Sequence, residues 1–330
     1  MTKILDDATA HTIANQALPF WDLPDPQITL ISRSENIVFR VDAATQTQYI
    51  LRIHRPGYHT LDELNAEQEW TTALNRSGLS VPVAVKTSAG QGYVLINFSD
   101  QRYYVGIVEW FEGTPLLEIL EKVADPDAIA QYYHQLGQIA ARIHNQSAQW
   151  EPVSSSRRHG LDADGLAGVQ PFWGNFWDLP QISDAERQHL SGIRASVYSR
   201  LQELDKNAQV YSLIHADLHP GNVLINDEHL HVIDFDDCAY GWHIYELAIS
   251  LFYSMDRPDF ERLQHAMIAG YRTQRPLEDE TVALLPFFLL IRRLSLIGWT
   301  NERPELGRSA RVSKFAALAC QEADALIPPI

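Results

Sequence analysis

The residues able to do chemistry crowd into one stretch of the chain. Leu213-Ile-His-Ala-Asp-Leu-His-Pro-Gly-Asn-Val-Leu-Ile225 carries the spacing H-x-D-x-x-x-x-N in His215, Asp217 and Asn222, and Val232-Ile-Asp-Phe-Asp-Asp-Cys238 follows with Asp234. A carboxylate and an amide from one tight loop, joined by a carboxylate from the end of the next strand, suit phosphoryl transfer. That reaction needs a group to orient or deprotonate an attacking hydroxyl, and hard oxygen ligands for the Mg²⁺ that bridges the phosphates of ATP. Asp217 fits the base, and Asn222 and Asp234 fit the metal ligands. Pro220 and Gly221 suit a sharp turn that returns Asn222 toward Asp217. With 13 His, 23 Asp and 11 Asn in 330 residues, the spacing arises by chance about 0.03 times, so it marks a site. A metallohydrolase on His215, Asp217, His219 and Asp234 is the competing chemistry. It calls for further ligands, and His159, His189 and His229 stand at no matching spacing.

The elements that must carry this stretch are legible around it. Ile28–Ser32, Ile37–Val41 and Tyr49–Ile53 are short apolar runs separated by polar turns, a pattern that predicts an antiparallel meander. Thr60 and Glu63 form a capping box, Leu64, Trp70 and Leu74 follow at helical spacing, and Gly78 sits where a C-terminal cap belongs. Residues 92–98 and 103–110 read as a hairpin around 99–102. Beyond that the pattern turns helical. One helix opens at Asp125-Pro126, with Ile129, Tyr133, Leu136, Ala140 and Ile143 on one face. Residues 147–182 read as a long connection. Ser183 and Glu186 cap a helix bearing Leu190, Ile193, Val197, Leu201 and Leu204. A strand-rich island (210–214, 223–225 and 230–235) encloses the chemical stretch, and helices resume near His243. The change of character falls at Glu109–Pro115. The expected fold class is therefore α+β: a small antiparallel-sheet lobe over 1–108, a hinge over 109–115 and a larger, mainly helical lobe over 116–330.

Composition narrows the partners. The net charge is −16, from 26 Lys+Arg against 42 Asp+Glu. Nucleic acid is not an expected partner, because phosphate contacts need clustered cations, and neither is an anionic membrane surface. The acidic balance suits a cationic substrate and equally suits plain solubility. The two cysteines, Cys238 and Cys320, have no ligand or disulfide spacing, which fits a cytoplasmic protein. The start of the chain is too polar for a signal peptide. The apolar run from Val282 to Gly298 is broken by Pro286 and by Arg292-Arg293, so it reads as a core helix rather than a membrane span.

The segments His215-Ala-Asp-Leu-His-Pro-Gly-Asn222 and Val232-Ile-Asp-Phe-Asp236 resemble the active-site signatures of the aminoglycoside phosphotransferase and choline kinase superfamily, relatives of protein kinases. The similarity spans roughly residues 30–300 and includes the stress-response kinase A and type II homoserine kinase group. It implies a kinase-like two-lobed fold, with ATP and Mg²⁺ as cofactors. In that pattern Arg52 takes the place of the third-strand lysine, with Glu67 as its partner and Glu69 as the fallback. Arginine departs from the pattern because its planar fork is bulkier than an ammonium group. The phosphate-covering turn, Ser32-Arg-Ser-Glu-Asn36, has no glycine and leaves Ser34 and Asn36 as donors. The hinge residues Glu109, Trp110 and Phe111 fall where adenine would lie. His215 is expected to hold the loop, His219 to approach phosphate or substrate, and Asp236 to serve as a second ligand or substrate contact. Asp237 reads as a solvated neighbour. Glu246 sits where relatives carry an Asp that braces the loop. Two acceptors fit these residues: a small-molecule hydroxyl (on an amino acid, amino alcohol or aminoglycoside) or a protein Ser/Thr. A catalytically weak nucleotide-binding regulator is the third reading, motivated by Arg52 and the glycine-free turn. The short interval between Asp234 and the helix near His243 leaves no evident activation loop and favours the small molecule.

Overall fold

A computed structural model describes residues 5–34, 36–153, 157–227 and 229–326. Met1–Ile4, Glu35, Ser154–Ser156, Glu228 and Ile327–Ile330 lie outside it. In chain order the first half contains α1 (Asp7–Ala17), β1 (Gln27–Arg33), β2 (Ile37–Asp42), β3 (Gln48–Ile53), α2 (Leu61–Arg76), β4 (Ala84–Val85), β5 (Tyr93–Phe98), β6 (Gln101–Glu109), β7 (Thr114–Pro115), α3 (Leu116–Lys122) and α4 (Pro126–Ser147). The second half contains α5 (Ala163–Ala167), α6 (Asp184–Gln202), β8 (Tyr211–Ile214), β9 (Val223–Asn226), β10 (His229–Val232), β11 (Ala239–Trp242), α7 (His243–Phe252), α8 (Phe260–Arg272), α9 (Asp279–Val282), α10 (Leu285–Asn301) and α11 (Ala310–Leu326). The fold is α+β and kinase-like. The chain separates into two compact units: Met1–Thr114 with Pro152–Arg158 and Leu224–Asp236, and Pro115–Glu151 with His159–Val223 and Asp237–Ile330.

The first unit is built on an antiparallel sheet of order β1-β2-β3-β6-β4, with β5 pairing β6. Strand alternation sends Leu51 and Ile53 of β3 into a core shared with Phe39, Val41, Val105 and Ile107, and so turns Arg52 to the opposite face. Helix α1 covers the core side through Ala10, Ile13, Ala14 and Ala17. Helix α2 starts at the expected capping box, in which Thr60 Oγ1 accepts from Glu63 N and the Glu63 carboxylate accepts from Thr60 N.

The second unit is mostly helical. Helices α4 and α8 run so close that a Cβ on Gly137 would stand 2.0 Å from the Met267 carbonyl oxygen, and one on Gly270 would stand 1.9 Å from that of His134. Only glycine permits this backbone approach. The stretch Asp279–Asn301 is long and apolar enough to cross a membrane, and 67% of its apolar window is buried inside the protein. Antiparallel β8 and β11 pair from Ile214↔Ala239 to Tyr211↔Trp242, and their ends lead into the loop after β8 and into α7. The sequence pattern did not reveal β11, and the strand expected over 230–235 ends at Val232.

Candidate active site

The loop after β8 is held from behind. His215 follows β8 directly, and Ala216 adopts a left-handed backbone, φ 63°, a conformation that costs a non-glycine residue free energy. Glu246 of α7 compensates. Its Oε2 accepts from His215 N at 2.6 Å and its Oε1 from Ala216 N at 3.1 Å. The extra methylene of Glu over Asp therefore does not prevent the bracing contact. Glu246 is fully buried. Burial raises its pKa to about 6, while the His215 ring and the N–H groups of His215, Ala216 and Leu218 pull in the opposite direction. The His215 ring closes the turn locally, with Nδ1 accepting from Asp217 N at 3.2 Å. His219 does the same further on, with Nδ1 accepting from Gly221 N at 2.9 Å.

This scaffold presents Asp217 and Asn222 together. Asn222 Nδ2 donates to the Asp217 carbonyl oxygen at 3.0 Å and to Asp217 Oδ2 at 2.9 Å. With both amide hydrogens so engaged, the Asn222 carbonyl oxygen is left for another ligand. His219 Nε2 stands 3.3 Å from Asp217 Oδ2, and Arg292 Nη2 donates to Asp217 Oδ1 at 2.5 Å. Burial acts to raise the Asp217 pKa, but His219 and Arg292 outweigh it and hold the carboxyl below the usual carboxylate range.

The first unit carries a second cluster around Arg52. Arg52 Nη1 lies 3.5 Å from Glu67 Oε1, and Nη2 lies 3.2 Å from Asp234 Oδ1. Glu67 is thus its helical partner, whereas Glu69 accepts from the backbone N–H of Val153. Burial acts to lower the Arg52 pKa, but Asp234, Glu67 and Asp236 more than offset it and raise it. Asp234 has a left-handed φ of 65°, and its carboxylate is half exposed, 49%. That geometry offers one face to Arg52 and leaves oxygen for a cation. Asp236 turns inward instead. It is buried among His54 Nδ1 at 3.3 Å, His59 Nε2 at 3.7 Å and Arg52 Nη1 at 3.9 Å. Its pKa lies well below the usual range, because His54 and His59 outweigh the effect of burial. Arg158 completes the cluster, donating to the carbonyl oxygens of Asp236 and of Glu63 (3.2 Å), with Nη1 4.0 Å from Glu67 Oε2.

The remaining expected residues divide. Ser34 is exposed, and its N–H donates to Asn36 O at 3.0 Å. Asn36 is buried, with Oδ1 accepting from Arg55 N at 3.4 Å. Glu109 ends β6 and exchanges hydrogen bonds with Val83, its N–H donating to Val83 O at 3.0 Å and its Oε2 accepting from Val83 N at 3.3 Å. Trp110 Nε1 donates to Glu112, and Phe111 stacks on His231 at 4.5 Å. Sequence reasoning missed Arg158, His54, His59 and Arg292. Only Arg292 left a signal: a charge inside an apolar run must find a buried partner.

Comparison with known proteins follows the same lines. The family model described as Phosphotransferase enzyme family matches residues 27–284. A structure of a microcompartment-associated aminopropanol kinase superposes with a TM-score of 0.81 at 30% identity, covering 94% of this chain and 95% of that one. The amicoumacin kinase of Bacillus subtilis (strain 168) is 22% identical over 85% of this chain and 81% of its own. A homoserine kinase of Methylobacterium radiotolerans is 29% identical, covering 70% and 68%. The motif, the braced loop that carries it and a match over most of the chain agree, and the chain belongs to the phosphotransferase enzyme family.

Proposed function

We propose that this phosphotransferase moves the γ-phosphoryl group of ATP to a hydroxyl of a small molecule of the amino alcohol, amino acid or aminoglycoside kind. The observation that carries the reading is the pairing of Asp217 with Asn222. One side chain is held as an acceptor for a hydroxyl hydrogen, and the other spends both amide hydrogens on it and keeps its oxygen for a cation. Asn222 and Asp234 supply the hard oxygen donors that Mg²⁺ takes in such sites. When bound, the ion offsets the negative charge of the phosphates. Arg52, kept in place by Glu67, aims its fork at phosphate oxygens. Ser34 and Asn36 cover the phosphates, and Glu109, Trp110 and Phe111 border the adenine. Asp217 works mainly by aiming the acceptor hydroxyl in line with the phosphorus, since its lowered pKa makes it a weak base. The acceptor classes are suggested by the aminopropanol, amicoumacin and homoserine kinases among the relatives.

The test is thermal stabilisation of the wild type and Asp234→Ala by ATP or GTP with and without Mg²⁺, followed by turnover on a panel containing aminopropanol, homoserine and aminoglycosides. The expected result is Mg²⁺-dependent stabilisation that Asp234→Ala abolishes, and turnover that Asp217→Ala lowers about 10²–10⁴-fold. Normal turnover in Asp217→Ala would refute the assignment.

A further inference from the structure

We infer that Arg292 is a positioning residue for the transfer step: it fixes the carboxylate of Asp217 from the side that the catalytic loop cannot reach. The inference rests on the reading of Asp217 given above. Within its own loop, Asp217 is held through Oδ2 alone, by Asn222 Nδ2 at 2.9 Å and His219 Nε2 at 3.3 Å. Two contacts on one oxygen still let the carboxylate swing about that oxygen. Among the described residues, Oδ1 accepts a hydrogen bond from Arg292 Nη2 at 2.5 Å, from a helix 75 residues further along the chain. With both oxygens held from opposite sides, the orientation of the carboxylate plane is set before any acceptor arrives.

The surroundings of Arg292 suit a rigid post. Its side chain is 4% exposed, and its guanidinium lies over the Trp173 ring at 5.8 Å. Every residue on α10 from Leu285 to Leu294 except Pro286 is buried, so the helix cannot shift without disturbing the core. A guanidinium held this way reaches Oδ1 through one arm, while Nε makes no hydrogen bond among the described residues. The neighbouring arginine shows what a purely structural role looks like on the same helix. Arg293 forks onto Glu322 of α11 at 2.8 and 2.6 Å, a bidentate pair that joins two helices and touches no reacting group. Arg292 instead directs an arm at the residue that aims the hydroxyl, with the Tyr245 side chain as a further partner. Orientation of this kind matters because transfer requires the attacking oxygen to be in line, and misplacement by about 1 Å costs on the order of 100-fold in rate.

The experiment is a double-mutant cycle on the full chain with Arg292→Gln, Asp217→Asn and their combination, with Arg292→Lys as a second variant that keeps the charge and the buried stem. Rates are read with ATP and aminopropanol, and also as γ-phosphoryl release to water, which needs no organic acceptor. Thermal stabilisation by Mg²⁺–ADP checks that each variant keeps its fold. The expected result is a kcat about 100-fold down in Arg292→Gln, a KM for ATP within about threefold of wild type, partial recovery of kcat in Arg292→Lys, and no further loss when Arg292→Gln is added to Asp217→Asn. A wild-type kcat in Arg292→Gln alongside an inactive Asp217→Asn would overturn the inference and leave the proposed function standing. Losses that multiply in the double variant would also overturn it, since Arg292 would then act independently of Asp217. Normal turnover in Asp217→Asn would overturn the proposed function itself.

Discussion

Replacing Glu246 with Gln should leave the protein at least as stable as wild type at neutral pH while slowing turnover. The carboxyl group is fully buried and its pKa stands at about 6 against 4.5 for an exposed Glu. A shift of that size is about 2 kcal/mol, at roughly 1.4 kcal/mol per unit. The folded state holds this proton more tightly than the unfolded state. The associated stability is therefore complete below about pH 4.5 and falls away as the pH rises through 6. A glutamine copies the protonated carboxyl in shape and carries no charge to desolvate. The variant should match wild type near pH 4.5 and exceed it by up to about 2 kcal/mol at pH 7.5. Function should move the other way. The N–H groups of His215 and Ala216 each use one carboxylate oxygen, and an amide offers an oxygen to only one of them. Paired urea titrations of the two proteins at pH 4.5 and 7.5, with kcat measured alongside, test both halves. A variant less stable than wild type by more than about 2 kcal/mol at pH 7.5 would refute the reasoning. The N–H bonds to the ionised group would then outweigh its desolvation.

Other perturbations reach neighbouring parts of the molecule. Arg52→Lys keeps a charge but cannot span Glu67 and Asp234 with two separate arms, so the KM for ATP should rise about tenfold with a smaller effect on kcat, measured by initial rates. Arg158→Met removes the donor to two carbonyl oxygens, those of Asp236 and Glu63. It should cost about 2–4 kcal/mol in chemical denaturation and weaken Mg²⁺–ATP binding, measured by calorimetry. Gly137→Ala places a methyl 2.0 Å from the Met267 carbonyl oxygen and forces α4 and α8 apart. A loss of about 2 kcal/mol or more is expected despite the better helix propensity of alanine, and a melting temperature equal to wild type would show that the helices can separate freely.

Much of this was legible in the sequence, and the gaps have physical causes. The loop that pairs Asp217 with Asn222 announced itself because phosphoryl transfer fixes both residue types and spacing. The capping boxes at Thr60 and Ser183 are local chemistry and form as read. Helix α1 escaped notice because the face it buries is made of Ala10, Ala14 and Ala17 with Ile13 as its one large apolar residue, which gives little contrast against a polar background. Strand β11, Ala239-Tyr-Gly-Trp242, has no alternating pattern and exists because β8 supplies its hydrogen bonds. The roles of Arg158 and Arg292 depend on which distant backbone or carboxylate the fold brings to them, and no local pattern encodes that. The engagement of the Asn36 side-chain oxygen by Arg55 N is of the same kind, set by where the fold brings a distant backbone N–H.

The pairing of β8 with β11 has a consequence for the order in which the site comes into being. The residues it joins, such as Ile214 and Ala239, are separated by the whole loop and by the β9–β10 hairpin, so this ribbon closes only after that intervening chain has been gathered in. His243 N donates to Val210 O at the far end of the ribbon, which starts α7 in the register that delivers Glu246. The amide hydrogens of His215 and Ala216 are therefore protected by a contact that exists only once the ribbon has zipped. Their exchange with solvent should follow the opening of β11 and α7 as one unit rather than local fluctuation of the loop. A hydrogen-exchange experiment on those two amides would thus time the assembly of the site itself.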